Sequence, residues 1–287
     1  MSGLRRTALV SGLVLAAVAL AAPSLATSVT PADSALQVLA PPPIPVTPSP
    51  RPEYAADMLA AGMNAVPRGV TVGAAVLDLT TGELETDGQD VFYTASLSKL
   101  MLVVDMLDRD VDLSTSDDRL VARALSVSDD NAMNALWEKF SGPAAMTRVA
   151  DDLNLTGTST PDDPTQWGET VVSPADYAHL YQHILTTMPQ DDRDLVVGDL
   201  SAAQPTAADG FHQFFGLLGQ EADVYAKQGW MYYGSKLYLH SAGVVHDDTG
   251  DYVVVLMSVQ PVTSVTAAEA AVNNVGASTL KVLAGNS

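Results

Sequence analysis

The chain has 287 residues, and 34 Asp and Glu against 14 Lys and Arg give a formal net charge of -20. With 47% hydrophobic residues it can bury a substantial core. Its charge disfavours nucleic acid and anionic membrane surfaces as partners, because both need clustered Lys and Arg. The absence of cysteine excludes disulfides, thiolate metal ligands and cysteine nucleophiles, leaving Ser, Lys, His, Asp and Glu to carry any chemistry.

Residues 1–26 read as a signal peptide. Arg5 and Arg6 start it, an apolar run follows from Thr7 to Ala22, and Ser24-Leu25-Ala26 supplies small residues for cleavage. That run is shorter than the roughly 20 residues a spanning helix needs, so no stable membrane span is expected after cleavage. No cysteine follows it for lipid attachment. Residues 27–52 form a proline-rich linker, in which Pro41 to Pro52 favours extended polyproline II and acts as a semi-rigid spacer. The folded part is expected to begin near Glu53 and to work on the cell-wall side of the membrane.

Gly69–Leu79 is apolar and β-branched, Thr80-Thr81-Gly82 is a turn, and Glu83–Thr86 returns as the second arm of a hairpin. From Ser96 the period becomes helical, with Leu97, Leu100, Met101, Val104 and Leu107 on a buried helix. Further helices are expected at Asp117–Leu125, Asp129–Phe140, Pro143–Leu153, Pro174–Thr187 and Asp191–Ala202. Strands follow at Val224–Met231, Ser235–Val245 and Tyr252–Gln260, with a terminal helix at Ala267–Leu283. The expected fold class is α+β: an antiparallel sheet of about five strands drawn from both chain ends, flanked by helices. An α/β part would comprise residues 53–95 and 205–287, with a helical part at 96–204 inserted.

Three elements recur in a meaningful order: Ser96-Leu97-Ser98-Lys99, Ser128-Asp129-Asp130 and Lys227-Gln228-Gly229. A serine at a helix start lies near free backbone N–H groups, and a lysine three residues on shares its face. Burial and a second cation would lower the Lys99 pKa, so that its neutral amine could accept the Ser96 proton. Ser128 could relay that proton, and Lys227, on an inner strand, could hold an anionic group of the substrate. The N–H groups of Ser96 and Trp230 could form an oxyanion hole.

This trio resembles the active-site motifs of the penicillin-recognising serine hydrolases, and of class A β-lactamases in particular. The resemblance runs from about Glu53 to Leu283 and includes Ser128-Asp129-Asp130-Asn131-Ala132-Met133-Asn134, where Asn134 also fits the family's habit. It implies that Ser96 is the acylated nucleophile, Lys99 its base, Ser128 the proton shuttle and Lys227 the carboxylate anchor. Asp130, Gln228, Gly229 and Trp230 are expected to contact substrate. The implied partner is a small-molecule β-lactam or a peptidoglycan stem peptide. No cofactor, metal or nucleic acid is expected, and the protein is expected to be a monomer.

Three departures weaken the likeness. Asp130 stands where the family has Asn, and an ionised Asp cannot donate to a substrate carbonyl and would favour the charged form of Lys99. Gln228 replaces a Thr or Ser hydroxyl. Thr158–Thr170 lacks the Glu-x-x-Leu-Asn pattern that activates the deacylating water, although Asp162, Asp163 and Glu169 are acidic. Three readings therefore stay open: a hydrolase of the class A type that deacylates poorly, a D-Ala-D-Ala-type peptidase, and a catalytically eroded cell-wall binding module on the same fold.

Other signals are weaker. Ser278-Thr279-Leu280-Lys281 repeats the first motif, with no partner motifs downstream. His179 and His183 are read as a solvated helix face, His240 as a satisfied structural histidine, and Trp137 and Trp167 as core.

Overall fold

A computed structural model of the protein describes residues 53–88, 91–262 and 264–284. The signal peptide and the proline-rich linker lie outside the described residues. Five strands form one sheet in the order β2-β1-β7-β6-β5, from β1 (Thr71–Asp78), β2 (Leu84–Gly88), β5 (Asp223–Tyr233), β6 (Lys236–Asp247) and β7 (Gly250–Pro261). Every pairing is antiparallel. The sheet is thus closed in the middle by the pairing of β1 with β7, two strands from opposite ends of the described chain.

Both faces of the sheet are covered, which explains why β1 and β7 read as near-continuous apolar runs. Alternation still sorts the side chains. Ala75, Leu77, Val253, Val255 and Met257 join a core shared with α2 (Ser98–Asp108), α4 (Asp130–Lys139), α5 (Gly142–Asp152) and α6 (Pro174–Thr186). Val72, Ala74, Val76, Val254 and Leu256 face α1 (Tyr54–Asn64) and α8 (Val265–Ala284). The expected helices are present, completed by α3 (Thr115–Ser126) and α7 (Gln190–Ser201). α3 starts before its expected position because Ser114 and Asp117 form a reciprocal capping box.

The structure adds elements that were not anticipated. Helix α1 is one of them, although Tyr54, Ala55, Met58, Leu59 and Gly62 recur at helical spacing and are its buried residues. A second sheet pairs the two-residue strands β3 (Phe92–Tyr93) and β4 (Val171–Val172), which are too short for any sequence period to mark. The strand carrying Lys227 is also not an inner one: β5 is the sheet edge. Because it has a strand on one flank only, its other flank is open to the turn that bears Ser96.

Candidate active site

Ser96 is the middle residue of a 3₁₀ turn, Ala95–Leu97, and α2 begins two residues later. This corrects the expectation of a serine at the start of the α-helix itself: the turn's N-cap makes no side-chain cap bond. Ala95 before it has φ 47°, a left-handed conformation that costs an L-residue about 1 kcal/mol or more. The turn is anchored from three sides. Ser98 Oγ donates to Ala95 O at 3.0 Å, Tyr177 Oη of α6 donates to Leu97 O at 3.0 Å, and Gly229 of β5 packs under it.

One helical turn on, Lys99 is fully buried. Its Nζ donates to Ser96 Oγ at 2.6 Å, to Asp130 Oδ1 at 2.8 Å and to Ser128 Oγ at 3.4 Å. It also sits 4.3 Å from the centroid of the Trp167 ring. Burial pushes the Lys99 pKa below the ordinary lysine value, and the Asp130 carboxylate pulls against that shift.

Ser128 links α3 to α4 with φ 53°. Next to it Asp129 caps α4 by accepting from the N–H groups of Asn131 and Ala132, and it pairs with Arg123. Asp129 is therefore structural, whereas Ser128 faces the lysines. Lys227 Nζ donates to Ser128 Oγ at 2.9 Å and to Gln228 O at 2.9 Å. Burial first, and the Lys99 charge second, hold Lys227 well below the ordinary lysine value. Ser96, Lys99, Ser128, Asp130 and Lys227 are thus brought together by contacts running from the turn through both lysines to the edge strand.

Gln228 does not join them. Strand alternation turns it to the other face, where it is 1% exposed and its Nε2 donates to the carbonyls of Gln213 and Phe215. The expectation that Gln228 contacts substrate is corrected on that ground: its donor bonds serve a neighbouring loop. Gly229 is a packing requirement. A Cβ there would lie 2.9 Å from Thr94 O and 3.2 Å from Leu97 Cγ, so only glycine lets β5 approach the turn this closely.

Above these groups lies a cleft of about 580 Å³ lined by Ser96, Asp130, Asn134, Trp167, Asp209, Phe211, Trp230 and Tyr232, among others. Trp230 stacks on Phe211 with ring centroids 4.7 Å apart and donates through Nε1 to Asp209 at 2.9 Å. Asp209 and Phe211 belong to a loop that sequence reasoning left without a role, and its lack of any helical or strand period gave no signal of the site. Trp167 packs against the edge of the core and also covers Lys99, with Nε1 donating to Asn134 Oδ1 at 2.8 Å. Trp137 does hold the core position expected, donating to Pro164 O.

From the 158–170 segment, Thr165, Gln166, Trp167 and Gly168 line the cleft, and no carboxylate among its described residues does. Asp163 instead caps a turn by accepting from Thr165. His183 pairs with Asp108, and His240 is buried between Tyr93 O and the Ser258 N–H. No group of three or more His, Cys, Asp or Glu with metal-holding geometry occurs among the described residues, and no described helix is long and apolar enough to cross a membrane.

Comparisons with known proteins bear on the family and the fold. Over 215 residues the chain is 34% identical to "Putative lipoprotein LppW" of Mycobacterium tuberculosis, covering 71% of this chain and 68% of that protein. Two solved structures share the fold at low identity. The TLA-3 extended-spectrum beta-lactamase superposes with TM-score 0.66 at 12% identity, over 80% of this chain and 99% of that one. The beta-lactamase of Sphaerobacter thermophilus superposes with TM-score 0.60 at 19% identity, over 80% and 97%. Residues 106–283 match the family described as "Beta-lactamase enzyme family", a match that starts after Ser96 and Lys99. With more than half of its length in that match, the chain belongs to the beta-lactamase enzyme family and has the fold of the class A enzymes.

Proposed function

We propose that the protein is an exported serine hydrolase that opens the amide of a β-lactam or of a peptidoglycan-like peptide through an acyl-enzyme on Ser96, and that it releases the acyl group slowly. The observation carrying this reading is the 2.6 Å contact between the buried Lys99 Nζ and Ser96 Oγ. Neutral Lys99 takes the Ser96 proton as the Oγ–C bond forms. The C–N bond then breaks, and the leaving nitrogen gains a proton through Ser128 Oγ, which contacts both lysines. Water would release the acyl group as a carboxylic acid and return the proton to Ser96. No carboxylate of the 158–170 segment is among the cleft's described lining, which supports slow release in that last step.

The same absence favours a D-Ala-D-Ala-type peptidase as a second enzymatic reading. The Lys99–Asp130 ion pair favours the third, an eroded cell-wall binding module, since it opposes the neutral amine. Export is supported by the apolar run of residues 7–22 and by the relative named as a lipoprotein. The division into a signal peptide (1–26), a linker (27–52), an α/β part and a helical insert, and the monomeric state, belong to this proposal. The test is to follow the intact mass of the protein with a reporter penicillin, with Ser96→Ala as control. A transient adduct supports the β-lactamase reading and a long-lived one the peptidase reading. No adduct with penicillins or cell-wall peptides would leave the binding module.

A further inference from the structure

The cleft's charge is unlike what an anionic substrate needs. Its lining includes two carboxylates, Asp130 and Asp209, and no Lys or Arg among the described residues. Lys99 and Lys227 lie beneath it, at 0% and 1% exposure, with Nζ bonds to protein oxygens. Gln228, the next polar group on β5, is turned away. No Lys or Arg of the described lining therefore meets a substrate carboxylate, and the protein's net charge of -20 opposes such a ligand at long range as well.

The two carboxylates are not equivalent. Asp130 has a side chain 57% exposed, so one oxygen holds Lys99 while the group as a whole still faces the cleft. Asp209 is fixed from two directions: Oδ1 accepts the Phe211 N–H at 2.9 Å and Oδ2 accepts Trp230 Nε1 at 2.9 Å. A carboxylate oriented by an indole N–H beside a stacked Trp–Phe pair is pre-organised for a cation, which gains from both the charge and the ring faces. Trp167 and Tyr232 extend the aromatic wall, and Trp167 already holds the Lys99 ammonium over its ring.

We propose that the site selects a substrate bearing a cationic group, an alkylammonium of amino-acid side-chain size held by Asp209 and Asp130 against the Trp230 face, in place of the anionic group that the third motif implied. The proposal rests on Ser96 acylation for its substrate class, but the cation site itself does not require turnover.

Two measurements separate them. In the first, Nα-acetyl thioesters of lysine, Nε-acetyllysine and glutamate, which share a leaving group, are compared as acyl donors to Ser96. The lysine ester should acylate about tenfold faster than its neutral, acetylated counterpart, and the glutamate ester slowest. The preference should shrink as salt rises and fall several-fold in Asp209→Asn. In the second, Ser96→Ala is titrated with the matching Nα-acetyl amides, following tryptophan fluorescence. Tighter binding of the lysine amide without any acylation of the native protein would keep the cation site and remove the hydrolase reading. Acylation without charge preference would keep the hydrolase and overturn the cation site. Equal or tighter binding of the glutamate amide also overturns it.

Discussion

Lys99 Nζ lies 2.8 Å from Asp130 Oδ1, so the amine that contacts Ser96 Oγ is also half of an ion pair. Burial and the carboxylate pull its pKa in opposite directions, and burial is the larger influence. The Asp130 partner is largely exposed and the contact is solvent-screened, which is why it does not reverse the shift.

Replacing Asp130 with Asn removes the group that favours the ammonium. The Lys99 pKa falls further, and the acid limb of acylation against pH should move to lower pH. The check is the second-order acylation rate of a reporter β-lactam between pH 5 and 9. An unmoved limb would separate Asp130 from the titration of Lys99.

Trp167→Ala should act in the opposite direction. The indole shields Lys99 and bonds Asn134, so truncation admits water to an amine whose pKa is lowered chiefly by burial. Loss of the cation–π contact works the other way but is worth only about 1 kcal/mol. The acid limb should move to higher pH in the same assay, and a downward shift would show that the ring contact outweighs burial.

Gly229→Ala tests the packing of the edge strand against the turn bearing Ser96. The added Cβ meets backbone at Thr94 O, which cannot swing aside as a side-chain tip can. Acylation should drop tenfold or more, with a loss of about 1–3 kcal/mol in urea unfolding. Full acylation at native rate would mean the turn and β5 can separate freely.

His240 should make stability pH-dependent. Burial lowers its pKa to about 4, against an ordinary value of 6.5. Below 6.5 the unfolded chain takes up a proton that the folded one refuses, so stability is full above that pH and falls as pH drops toward 4, by roughly 3 kcal/mol in total. Thermal unfolding across this window checks it. The slope should flatten in His240→Gln.

Asp105 ties α2 to α5: its buried carboxylate holds Arg148 through bonds of 2.6 and 2.8 Å and Arg109 at 2.9 Å. Asp105→Ala strips both guanidinium groups, which keep partial access to water, so the loss should be about 2–3 kcal/mol in chemical denaturation. A change within 0.5 kcal/mol would make the pairs incidental.

By itself the sequence determined the three motifs and most of the elements, though not α1 or the short strands β3 and β4. Hydrophobic period marks strands and helices because each element must bury one face, and the turn at Thr80-Thr81-Gly82, the cap at Ser173 and the buried run from Leu97 obey local rules. The spacing of Ser96 and Lys99 on one helical turn is likewise local. Tertiary structure decided everything that depends on neighbours distant in the chain. It made β5 the edge of the sheet, turned Gln228 away while its neighbour Lys227 met Ser128, and brought Trp167 over Lys99. It also brought Asp209, from an irregular loop, into the cleft. A side chain's partners and its pKa follow from burial and from charges brought together by folding, and no period in the sequence encodes them.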